Sequence, residues 1–148
     1  MKISIAVFFC LFFALNIFAQ SEKEKKIETI GVEEITLFKD DGEGNRGDET
    51  DNFLITNKPL HCQILLDSET AATIKMEMVV IEVKGIKAGA KAVVISYKTN
   101  GKQNIVNFSF NPSTVWNAGK YKINVLINGK VSASKEFEII KPSEIKMK

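Results

Sequence analysis

The sequence holds two cysteines, one histidine and one tryptophan in 148 residues, and each scarcity removes a class of function. Cys10 sits in "VFFC", inside an apolar leader, so Cys62 is the only thiol of the remaining chain and no intramolecular disulfide can form. The core must hold by packing alone. One Cys and one His fall short of a structural zinc site, which needs two further soft ligands. No glycine loop of the phosphate-cradling kind, no paired carboxylates in a strand or helix context and no Ser/His/Asp arrangement can be placed. We therefore expect no enzymatic activity. Charge of one sign is also lacking: the formal net charge is +2, and with Lys2 in the leader the rest carries 19 basic against 18 acidic groups. No phosphate-binding surface follows, and nucleic acid is not an expected partner.

What is present begins with "MKISIAVFFCLFFALNIFA", a lysine followed by an apolar run rich in Phe and Leu that ends in a small residue. This reads as a secretory signal peptide over residues 1–19, cleaved before Gln20, so a secreted or periplasmic location is expected. A permanent membrane helix is the competing reading. The run stops at Asn16, short of the roughly 20 apolar residues a bilayer requires. A lipid anchor does not fit Cys10, which lies in the middle of the apolar run rather than behind small residues. Residues 20–26 form a charged flexible lead, 27–141 the folded domain and 142–148 a C-terminal tail. With 45% hydrophobic and 26% charged residues, that length suits one domain with an ordinary core.

No segment carries a convincing apolar stripe of helical period, while short runs alternate with a period of two. Seven strands are expected, over 27–38, 60–66, 73–84, 91–99, 103–111, 120–128 and 131–140. In "YKINVLI" Tyr121, Ile123, Val125 and Ile127 share one face. In "TIKMEMVVIEVKG" Ile74, Met76, Met78 and Val80 do the same, and the β-branched content and Gly85 favour strand over helix. The methionines read as core gap-fillers. Lys135 interrupts the row of Ala133, Phe137 and Ile139. Asn128-Gly129 marks a two-residue hairpin, and Asn100-Gly101 is expected to mark another between the strands that flank it. Turn signals at this spacing point to an all-β fold, an immunoglobulin-like antiparallel β-sandwich of about seven strands.

In "LHCQILL" Leu60, Cys62, Ile64 and Leu66 alternate with His61, Gln63 and Leu65. Cys62 is expected as a buried, inert thiol. A catalytic pair with His61 fails on geometry, because neighbours on a strand point to opposite faces. "STVWNAGKYKINVLINGK" resembles a tyrosine corner, in which the Tyr hydroxyl ties back to the preceding loop. The candidate is Tyr121, with Gly119 giving the turn its freedom and Trp116 as a plug beneath it rather than a sugar platform. An antibody domain would carry a cysteine two residues after the Tyr, where this chain has Ile123. More widely, "TLFKDDGEGN…DNFLITNKPLHCQILLD…WNAGKYKINVLINGKVSASKEFEI", over about residues 32–140, resembles a group of small exported bacterial proteins and repeat domains of immunoglobulin-like type. The resemblance implies fold and export, and supplies no active-site residues.

The acidic stretch "DDGEGNRGDETDNF" over 40–53 remains. Aligned from Asp41, Glu43 and Asn45 fall on oxygen-ligand positions of an EF-hand loop, but Arg46 takes the glycine position and Asn52 the final bidentate one. An irregular calcium site built from Asp40, Asp41, Glu43, Asp48 and Asp51 is the alternative to a solvated connection between the first two strands, with Phe53 returning to the core. Calcium is the one cofactor considered. Arg46-Gly47-Asp48 matches an adhesion triplet that a flexible loop would display, a short motif with a high false-positive rate. The expected function is a non-catalytic binding module for another secreted or envelope protein. The alternatives are a calcium- or small-ligand-binding sandwich using the loop 40–52, and a protease inhibitor.

Overall fold

The structure, a computed structural model, describes residues 29–142. The signal peptide, the charged lead and all but the first residue of the C-terminal tail lie outside them. Among the described residues there are nine strands and no α-helix: β1 (Val32–Asp40), β2 (Arg46–Glu49), β3 (Asn52–Leu54), β4 (Leu60–Leu66), β5 (Thr73–Val83), β6 (Lys91–Lys98), β7 (Ile105–Phe110), β8 (Gly119–Ile127) and β9 (Lys130–Ile140). They form two sheets, β2-β1-β4-β7 and β3-β9-β8-β5-β6. Every pairing between them is antiparallel except that of β3 with β9.

The alternating rows explain why the sheets face each other. Leu60, Cys62, Ile64 and Leu66 of β4 and Val106, Phe108 and Phe110 of β7 meet Ile74, Met76, Met78 and Val80 of β5 and the row from Tyr121 to Ile127 of β8. All are buried. Phe53 is fully enclosed, its ring edge-on to Phe137 at 5.8 Å, and Phe137 stacks on Tyr121 at 5.6 Å. Burial of a phenylalanine of this kind contributes roughly 2–3 kcal/mol through area removed from water, and the aromatic contacts add to it. Lys135 keeps its place in the inward row of β9 by carrying its ammonium outward to Asp51, 3.0 Å away.

Four sequence expectations need correction. The stretch 40–53 is not a plain solvated connection: it closes a β1–β2 hairpin, with the Asp41 amide donating to the Asn45 carbonyl at 3.0 Å, and then supplies β3. Arg46-Gly47-Asp48 accordingly lies on a hydrogen-bonded strand rather than on a flexible loop. Asn100-Gly101 does not close a hairpin, because β6 pairs with β5 in one sheet and β7 with β4 in the other. The turn there carries the chain across the sandwich. Finally, the first strand starts at Val32 and runs on to Asp40. Asn128-Gly129 is the hairpin expected, with φ of 50° and 88° at the two residues.

Candidate functional site

Each residue singled out from the sequence has a defined place. Cys62 is fully buried between the sheets, and burial pushes its thiol up to about 12, against a small opposing influence of Lys135. Such a thiol is not a nucleophile at neutral pH. The Tyr121 hydroxyl donates to the Asn117 carbonyl at 2.8 Å, which ties the start of β8 to the loop before it. Trp116 is buried and donates its indole N–H to the Asn57 carbonyl at 2.8 Å. Gly119 faces the Glu82 carbonyl oxygen across a bulge in the β5–β8 pairing, where a Cβ would collide. Its need for glycine therefore comes from β5 as well as from its φ of 149°.

The acidic residues are not drawn into one cage. Asp40 Oδ1 accepts from the Gly42 amide at 2.8 Å and more weakly from Gly44, while Oδ2 lies 2.9 Å from His61 Nε2. Asp41 accepts from the Glu43 and Asn45 amides, and Asp51 pairs with Lys135. Glu43 and Asp48 are exposed. Asp40 and Asp41 organise the hairpin turn with oxygens a cation would otherwise need, and among the described residues no group of three or more acidic, His or Cys side chains is placed to hold a metal.

Two features escaped the sequence reading. The first is the Asp40–His61 pair. His61 lies on the outer row of β4, opposite Phe38 of β1 and Ser109 of β7, and is only 6% exposed because the β1–β2 turn folds over it. The His61 hydrogen bond is the main reason the Asp40 carboxyl is held below its ordinary range; the Gly42 and Gly44 amides add to this, and burial opposes it. Arg46 lies over the Phe38 ring, 5.4 Å from its centroid. A signal existed in the lone histidine near the end of a strand antiparallel to one ending in two aspartates, but sequence distance concealed the pairing.

The second feature is an asymmetry between the two flanks. On one, the edge strands are β2 and β3, of four and three residues. On the other they are β6 and β7, of eight and six residues, which pack beside each other. "KAVVISYK" of β6 has no Pro or Gly, and between its terminal lysines no charge. Val94, Tyr97 and Ile105 are exposed on this flank at 50%, 43% and 43%. Natural sheets usually protect an edge with short strands, prolines or charges. The β2/β3 flank is blunted by its short strands, whereas on β6 the protection is confined to the two terminal lysines and a bulge in the pairing with β5 near Lys91.

No protein-family model matches the chain, and no curated protein is similar to it in sequence. Solved structures of similar shape do exist. One is an immunoglobulin-like protein (PA1606) from Pseudomonas aeruginosa, 12% identical, covering 76% of this chain and 97% of that one at a TM-score of 0.50. Another is the Pseudomonas fluorescens alkylpurine DNA glycosylase AlkC bound to DNA containing an abasic site analogue, 15% identical over 75% of this chain at a TM-score of 0.52. The chain spans 30% of that glycosylase. At these identities the likeness shows the fold alone: an immunoglobulin-like β-sandwich.

Proposed function

We propose that the protein is an exported, non-catalytic binding module that takes up an extended segment of another secreted or envelope protein as an added strand along β6. The observation that carries this reading is the longer flank: an eight-residue edge with apolar side chains exposed on it between its terminal lysines. A strand added there would gain main-chain hydrogen bonds for affinity and alternate side-chain contacts with Val94 and Tyr97 for specificity. Export rests on the leader of residues 1–19. No nucleic acid enters this reading, because the charges outside the leader nearly cancel.

The calcium alternative is weaker on geometry, since Asp40, Asp41 and Asp51 already serve protein donors. The protease-inhibitor alternative has no observation of its own. Capture from native envelope and culture fractions tests the preferred reading when wild type is compared with Val94→Lys/Tyr97→Lys and with Val131→Lys. The last alters an exposed apolar residue on β9, away from the β6/β7 flank. Proteins held by wild type and by Val131→Lys should be lost from the β6 double variant. Equal capture by all three would sink the β6 reading.

A further inference from the structure

We infer that the groove on the outer face of the four-stranded sheet, between the β1–β2 turn and β7, binds the oxyanion group of a small molecule through Arg46, His61, Asn107 and Ser109. The groove measures about 440 Å³ and is lined by Gly44, Asn45 and Phe108 in addition to those four. Its lining contains a guanidinium and an imidazole and no carboxylate. Asp40 touches the ring from behind, through Nε2.

The donors are arranged rather than incidental. His61 is almost wholly buried, yet only Nε2 has a partner among the described residues. Since no sealed polar side-chain atom there lacks a partner, Nδ1 opens into the groove the ring lines. Gln63 donates to Asn107 Oδ1 at 3.2 Å, which leaves the Asn107 amide N–H groups to face outward. Ser109 stands directly across from His61 in the β4–β7 register, on the same face. Arg46, laid over Phe38, has no carboxylate partner among the described residues. Its planar fork is free to meet two oxygens at once.

The Asp40 contact also sets a proton requirement. With Nε2–H given to the carboxylate, a neutral ring presents a lone pair at Nδ1 and a protonated ring presents an N–H. An oxyanion at Nδ1 is therefore met by an N–H only on the protonated ring. The charged groups around His61 are Asp40 from β1, Arg46 from β2 and, in the turn between them, Asp41 and Glu43, with Asp48 and Glu49 further along β2. β7 faces it with Asn107 and Ser109, which carry no charge.

The test is an NMR titration at constant ionic strength, with sulfate standing for phosphate and sulfate esters, acetate for carboxylates and chloride as the reference. Saturable shifts of the His61 ring and of the Asn107 and Ser109 amides are expected with sulfate or acetate. The responding anion identifies the ligand class. Arg46 is exposed, so Arg46→Gln retains the fold and should weaken binding about tenfold by removing a charge-assisted contact. Shifts no larger than those with chloride, or equal affinity in Arg46→Gln, would each overturn the inference.

Discussion

The Tyr121 hydroxyl shows how much one atom fixes in this fold. By donating to the Asn117 carbonyl it holds the loop that carries Trp116 against the start of β8. Removing it in Tyr121→Phe leaves the ring stacked on Phe137 and should lower stability by about 1 kcal/mol in urea unfolding, at unchanged slope. A variant as stable as wild type would mean that the corner contributes nothing. Cys62 makes the complementary case, a reactive residue type rendered inert. With its thiol buried and pushed up to about 12, it should resist alkylation at neutral pH until the protein is unfolded. Stoichiometric labelling of the native protein would contradict the packing described.

Among the elements, those with strong alternation were legible and those held by distant partners were not. β4 matches the expected 60–66 because four apolar residues at a period of two leave one choice of inward face. β2 and β3 were missed because both are very short and "RGDE" is rich in poor strand formers; they exist because β1 and β9 offer them edges. Asn100-Gly101 was misread for a different reason. Turn residues report that the chain bends, whereas which sheet receives the next strand is decided by packing far away. The Asp40–His61 contact between β1 and β4 also has a pH signature. A carboxyl held below its ordinary range contributes stability that is present above that range and is lost as the pH falls through the folded value. The melting-temperature difference between wild type and Asp40→Asn should therefore shrink below about pH 4. A constant difference across that window would remove the contact from the account.

For the whole molecule, the buried rows of the two sheets close on one core, with Phe53, Phe137 and Tyr121 at one end, and Asp40, Asp41 and Asp51 are engaged by protein donors. Millimolar calcium and chelator should consequently give the same melting temperature, since a ligand raises stability only by binding the native state. A rise with calcium would restore the alternative reading of the acidic stretch. The same architecture leaves short edge strands on one flank and longer ones with exposed Val94, Tyr97 and Ile105 on the other, and that inequality is the basis of the proposed function. Amide hydrogen exchange of the protein with and without a partner captured by wild type tests it most directly. The account predicts that exchange slows along Lys91–Lys98 of β6, while Arg46–Glu49 of β2 is unchanged. Protection confined to other strands, with β6 exchanging as in the free protein, would contradict it.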